Sequence, residues 1–181
     1  GSLYLGAAFD SDPDGNPTLD ATGDDTGDGS DDEDGVIRDP LTLWQPGNTP
    51  NITVTVSGGS GYLVGWFDWN NDGDFLDMDE RVGFGSVSAG ENELQVPVSN
   101  AYNTGLPLNA RFRLYPTEAD PSPTGLVSDG EVEDYHWTFG PNAVTLTSLW
   151  GRARTLWLPG FFAALGGFVT LGLTLARRRK R

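Results

Sequence analysis

Strict alternation of apolar and polar residues appears first at Asn51-Ile-Thr-Val-Thr-Val-Ser57, which puts Ile52, Val54 and Val56 on one face. A period of two is that of a half-buried strand. Gly58-Gly-Ser-Gly61 reads as a turn, and Tyr62 to Trp69 follows as an aromatic, β-branched strand with no helical period. Arg81–Val87 and Glu93–Ser99 are the next strands, Pro97 marking an edge position. Leu108–Tyr115 sets Ala110, Phe112 and Leu114 on one face and Arg111 and Arg113 on the other, and Gly130–Phe139 is the last strand. Some seven short strands with turn signals between them predict an all-β fold, an antiparallel β-sandwich of Ig-like or jelly-roll-like kind, over residues 36–140. No stretch within it has the period of an amphipathic helix.

The flanks break this pattern. Residues 1–35 form an acidic, Asp/Gly-rich segment packed on or leading into the domain; Asp10 to Asp39 holds twelve acids and one base. Residues 141–155 read as a linker. Residues 156–176 then run without a charge and end in Arg177-Arg-Arg-Lys-Arg181. Twenty apolar residues in a helix span the roughly 30 Å of bilayer hydrocarbon. The basic stop predicts one transmembrane helix with residues 177–181 on the cytoplasmic side and the domain outside. The first residue is Gly rather than Met, which suits a mature protein or a fragment.

Charge divides the same way. All 26 Asp and Glu lie at or before Asp134, against four Arg before residue 150; the other seven Lys and Arg follow it. Residues 1–150 thus carry −22 and residues 151–181 carry +7. So acidic a domain repels nucleic-acid phosphate, which removes that class of partner. Zero cysteines offer neither disulfides nor thiol chemistry, and the single His136 argues against histidine-based zinc and a serine–histidine triad.

Where acids cluster, their spacing is specific. Asp68-Trp-Asn-Asn-Asp-Gly-Asp-Phe-Leu-Asp-Met-Asp-Glu80 places oxygen side chains at loop positions 1, 3 and 5 (Asp68, Asn70, Asp72), then Gly73 where the chain turns. Asp74 would give a carbonyl, and Asp79 or Glu80 closes the loop. This spacing wraps a short segment around calcium, a hard cation taking six to eight oxygens. Because a strand precedes it, the loop is not a helix–loop–helix hand. A solvated acidic turn is the plainer alternative. Asp10-Ser-Asp12-Pro-Asp14-Gly15 repeats the spacing, and a second calcium among Asp10, Asp12, Asp14, Glu33, Asp34, Glu131, Glu133 and Asp134 is a further expectation. Glu131 and Glu133 have two more readings: pairing with Arg111 and Arg113 across strands, or, least favoured, glycosidase acid–base catalysis. Trp66, Phe67, Trp69, Tyr102 and Trp137 serve as core, with a sugar-stacking platform as the other option.

Three stretches carry a resemblance: Asp31-Asp-Glu-Asp-Gly-Val36, Gly65-Trp-Phe-Asp-Trp-Asn-Asn-Asp-Gly-Asp-Phe75 and Asp129-Gly-Glu-Val-Glu-Asp-Tyr135. Over residues 3–139 the chain resembles the GEVED-domain family of bacterial secreted and surface proteins. That resemblance implies a β-sandwich module of large extracellular proteins, and a Glu matching Glu80 as the residue closing the acidic loop. The C-terminus is similar to bacterial sorting tails, although Leu158-Pro-Gly-Phe-Phe162 is no cleavage signal, so the anchor is either kept or cut. The function expected is a non-enzymatic, calcium-stabilised module on a bacterial cell surface, in adhesion or display. A carbohydrate- or protein-binding module is the alternative, and a glycoside hydrolase the third.

Overall fold

The alternating stretch becomes β3 (Asn51–Ser57), the centre of one of two four-stranded antiparallel sheets. The computed structural model describes residues 2–7, 9, 15–18, 33–118, 121–126 and 129–139. Contacts divide the chain into residues 1–139 and 140–181. Everything below concerns the first unit. The expected linker, membrane helix and basic tail lie outside the described residues, as do Asp10, Asp12 and Asp14. Among the described residues there is no helix long and apolar enough to cross a membrane.

In the first sheet β6 (Gly90–Gln95) pairs along one side of β3. The other side is shared by two short strands set end to end, β1 (Tyr4–Leu5) and β2 (Val36–Arg38). Thr55 bridges their junction: its carbonyl accepts the Gly6 N–H at 2.9 Å and its N–H donates to the Gly35 carbonyl at 2.8 Å. The chain leaves the sheet at Gly6 and rejoins it at Gly35. Residues 4–5 and 36–38 therefore belong to the same edge of the first sheet.

The second sheet has the order β5 (Arg81–Val87), β4 (Gly61–Phe67), β7 (Leu108–Tyr115), β8 (Glu131–Trp137). Its inward residues include Leu63, Phe67, Phe112, Leu114, Tyr135 and Trp137, which share one core with Leu5, Val36, Ile52, Val54 and Val56 of the first sheet. β4 lacks alternation because both its faces are buried. Phe75 folds back from the acidic loop to cover Val64 and Trp66 on the outer face.

The fourth expected strand lies elsewhere. β6 spans Gly90–Gln95 rather than Glu93–Ser99, and Pro97 falls beyond it. Val96 and Val98 are nevertheless buried, and their N–H groups donate to the carbonyls of Pro50 and Asn48. Alternation reports burial of one face, whichever partner satisfies the backbone.

At the junction Gly35 is packed against its neighbours. A Cβ there would lie 2.5 Å from Leu5 Cβ and 2.7 Å from the Gly6 nitrogen, with Glu133 Oε2 at 2.7 Å. Two of these are backbone or backbone-adjacent atoms that cannot swing away. Gly35→Ala should therefore destabilise the domain by about 1–3 kcal/mol, lowering its melting temperature by several degrees. An unchanged melt would mean that β1 and β2 are not held together at this point.

Candidate functional site

Two sites grow out of these strands, one where β4 ends and one along β8. After Phe67 the backbone turns through Asn71 and Gly73, both with positive φ (61° and 92°). This turn brings the peptide N–H groups of Asp72 and Gly73 onto the Asp68 carboxylate, each at 3.1 Å. Asn70 Oδ1 accepts the Asp72 N–H at 2.9 Å, while its amide nitrogen bridges Asp72 Oδ2 at 2.9 Å and Asp77 Oδ2 at 2.8 Å. Asp74 Oδ1 takes the Leu76 N–H at 2.8 Å. The chain then returns to β5 through Glu80, whose Oε2 accepts the Asp77 N–H at 3.1 Å and whose carbonyl accepts the Phe67 N–H at 2.9 Å.

Carboxylate oxygens of Asp68, Asp72 and Glu80 converge to within 4.8 Å of one another. Asp68 and Glu80 are buried, and Glu80 Oε1 has no hydrogen-bond partner. Burial pushes the Glu80 carboxyl up to about 7, helped by the charges of Asp68, Asp77 and Asp72 and opposed by the Asp77 N–H. Burial likewise raises Asp68, against its backbone donors. Asp79 turns the other way: it accepts the Ser99 hydroxyl, and its carbonyl takes the Trp69 indole N–H at 3.0 Å. Glu80, not Asp79, thus stands opposite Asp68. The loop holds thirteen residues, so its last acid arrives one position later than a twelve-residue spacing implies. Asp77, which the sequence reading did not single out, lies beside this group through the Asn70 amide and is not part of it.

Along β8 the side chains take opposite faces in turn. Glu131, Glu133, Tyr135 and Trp137 point between the sheets, where β1 and β2 present N–H groups that no strand pairs. Leu5 N–H donates to the Glu131 carboxylate. Gly35 N–H donates to Glu133 Oε1 at 3.1 Å, and Val36 N–H to the Tyr135 hydroxyl at 2.8 Å. That hydroxyl donates in turn to Glu133 Oε2 at 2.9 Å. Burial, then the neighbouring charge of Glu131, lifts Glu133 to about 8, with the Tyr135 hydroxyl and Gly35 N–H opposing. Burial and the Glu133 charge raise Tyr135 as well.

The outer face carries a different device. Arg111 lies opposite Asp134 and makes a two-armed ion pair with it, at 2.6 and 2.5 Å. Its remaining nitrogen donates to the Gly15 and Pro123 carbonyls at 2.9 and 3.0 Å. Arg113 donates to the Ser122 and Gly125 carbonyls. Both arginines are fully buried. The expected pairing of Glu131 and Glu133 with Arg111 and Arg113 is therefore corrected: alternation sends the glutamates inward and the arginines outward, and the acid that meets Arg111 is Asp134.

Of the expected second calcium set, Glu131, Glu133 and Asp134 are held as just described. Asp34 accepts the Ala7 N–H at 2.9 Å, and Glu33 lies half-buried beside this region. Among the described residues these five do not form a convergent ligand cluster. A catalytic pair is also poorly matched, since both glutamates come from one strand and are 4% exposed. The five aromatics considered for sugar stacking are all buried.

Fold and sites together define a two-sheet antiparallel β module whose last strand clips the first two and whose fourth carries a convergent carboxylate loop. The family model for the GEVED domain matches residues 62–138, from the second residue of β4 to just past β8. Neither a curated protein nor a solved structure matches the chain.

Two outcomes follow from β8. A carboxyl held above its unfolded value of 4.5 binds its proton more tightly when folded, so its contribution is complete below about pH 4.5 and is lost as pH rises to about 8. Glu133→Gln, which keeps an acceptor for Gly35, should flatten stability measured by urea unfolding between pH 5 and pH 8; a slope identical to that of the parent would exclude this proton. Asp134→Ala takes this carboxylate away from the buried Arg111 guanidinium and should cost about 3–5 kcal/mol, read by the same unfolding curves.

Proposed function

We propose that residues 1–139 are a non-catalytic, calcium-stiffened module displayed outside a bacterial cell, in adhesion or surface presentation, and held to the membrane through the uncharged run 156–176. One observation carries the calcium: Glu80 Oε1 is buried without a donor, beside the Asp68 and Asp72 oxygens. A buried carboxylate without a partner is costly, and like charges brought together need a cation or protons between them. Three carboxylates on a turning loop match the hard, oxygen-seeking chemistry of calcium. Asp68, Asp72 and Glu80 would hold the ion, with Asp77 beside them.

Its role is structural. Asp68 follows β4 and Glu80 precedes β5, so an ion between them would tie two neighbouring strands beside the Phe75–Trp66 contact. The anchoring rests on the sequence beyond Phe139: a 21-residue run without charge, then five cations.

At about 100-fold over its dissociation constant, calcium bound to one site should add about 2.7 kcal/mol. For a unit of this size that is a rise of roughly 10 °C in melting temperature relative to chelator. Asp72→Ala and Glu80→Gln should remove most of the rise, and Asp79→Ala should keep it. A melt indifferent to calcium would sink the role given to this loop.

A further inference from the structure

The two ends of the sandwich differ. β2, β4, β6 and β8 all finish at the end where β3, β5 and β7 start, as the pairings Arg38–Ile52, Gln95–Asn51, Trp66–Arg81, Phe67–Ala110 and Trp137–Leu108 require. Three loops therefore gather there: 39–50, 68–80 and 96–107. These loops carry five large apolar side chains in solvent: Leu41, Leu43, Leu76, Met78 and Leu106. Met78 is 97% exposed and Leu41 90%. Elsewhere among the described residues Phe9, Ile37 and Leu126 are exposed, Phe9 against the Tyr4 ring. Isolated exposed apolar residues need no explanation; five on the loops of one end make that end the more apolar of the two.

The chain itself says what lies near. It leaves the domain at this end, where Arg38 donates to the Thr138 carbonyl at 2.7 Å and stacks over the Phe139 ring at 4.5 Å. Sixteen residues later the uncharged run 156–176 begins. A linker of that length reaches at most about 55 Å. Leu76 and Met78 flank Asp77 within the carboxylate loop, whose six acids repel an anionic lipid surface, a repulsion that a bound calcium ion would lessen by two charges. A calcium ion at such a loop also offers coordination to lipid phosphate oxygens.

We infer that this end of the domain docks on a phospholipid surface in a calcium-dependent manner, Leu76 and Met78 entering the interface beside the ion. The inference rests on the calcium and membrane readings above, and concerns what the calcium loop touches. Docked in this way, the module would lie against the bilayer with the opposite end outward.

The absence of cysteine gives a clean test. The full chain with Met78→Cys, labelled with an environment-sensitive fluorophore, is reconstituted into vesicles of phosphatidylcholine with a minority of phosphatidylglycerol. A second preparation carries the label at Ser60→Cys, in the turn at the opposite end. Calcium should blue-shift emission at position 78, make it quenchable by spin-labelled lipid, and leave position 60 unchanged; chelator should reverse all of this. Leu76→Ser in the position-78 protein should cut the quenching several-fold while the calcium-dependent rise in melting temperature persists. If the melt responds to calcium but position 78 stays unquenched, lipid docking is wrong and the calcium site stands. A blue shift without lipid quenching means that protein, such as a second copy, covers the loop, and also overturns the inference. Equal quenching in chelator overturns its calcium dependence. No response of either melt or probe overturns both readings.

Discussion

A backbone N–H at the edge of a buried sheet must find an acceptor, and in this domain that requirement organises the rest. β1 and β2 pair with β3 on one side only. On their other side lies the core, where water is absent and an unmet donor costs on the order of 1–3 kcal/mol. Glu131, Glu133 and Tyr135 reach across from β8 to meet Leu5, Gly35 and Val36. Side chains of one sheet thus close the open edge of the other. That need explains why acids stand at inward positions where apolar residues are otherwise the rule.

Such placement brings carboxylates together in poor solvent, and the molecule manages them in three ways. Glu133 is held in its protonated range by burial. Asp134 is matched by a guanidinium that also gathers the carbonyls of residues 15 and 123. The loop after β4 has no arginine among its hydrogen-bond partners; backbone N–H groups and the Asn70 amide hold Asp68, Asp72 and Asp77. These neutral donors leave the summed charge untouched, and Glu80 Oε1 receives none of them. The difference between a matched acid on β8 and unmatched acids on the loop separates clip from candidate ion site.

The aromatic residues join these regions. Phe67 stacks on Trp69 with centroids 4.9 Å apart, Trp69 meets Tyr102 edge-on, and Tyr102 meets Phe139, where the described chain ends. Anything that orders the loop is therefore felt along a packed row leading to the exit toward residues 140–181.

The sequence by itself determined the all-β class, the inward faces of β3 and β7 and the place of the acidic loop, because alternation and turn chemistry act within a few residues. Ile52, Val54, Val56, Ala110, Phe112 and Leu114 are all buried on the faces that alternation assigns. Only the tertiary structure decided which acid does what. Glu131, Glu133 and Asp134 are near neighbours of one type, yet two cap a split strand and the third holds an arginine. Asp79 and Glu80 are adjacent, yet one faces Ser99 and the other Asp68 and Asp72. A carboxylate accepts from any donor within reach, and Asp79, Glu131, Glu133 and Asp134 each accept from a donor 20 to 126 positions away. Partners at such separations are chosen by how the sheets stack, which no local pattern encodes.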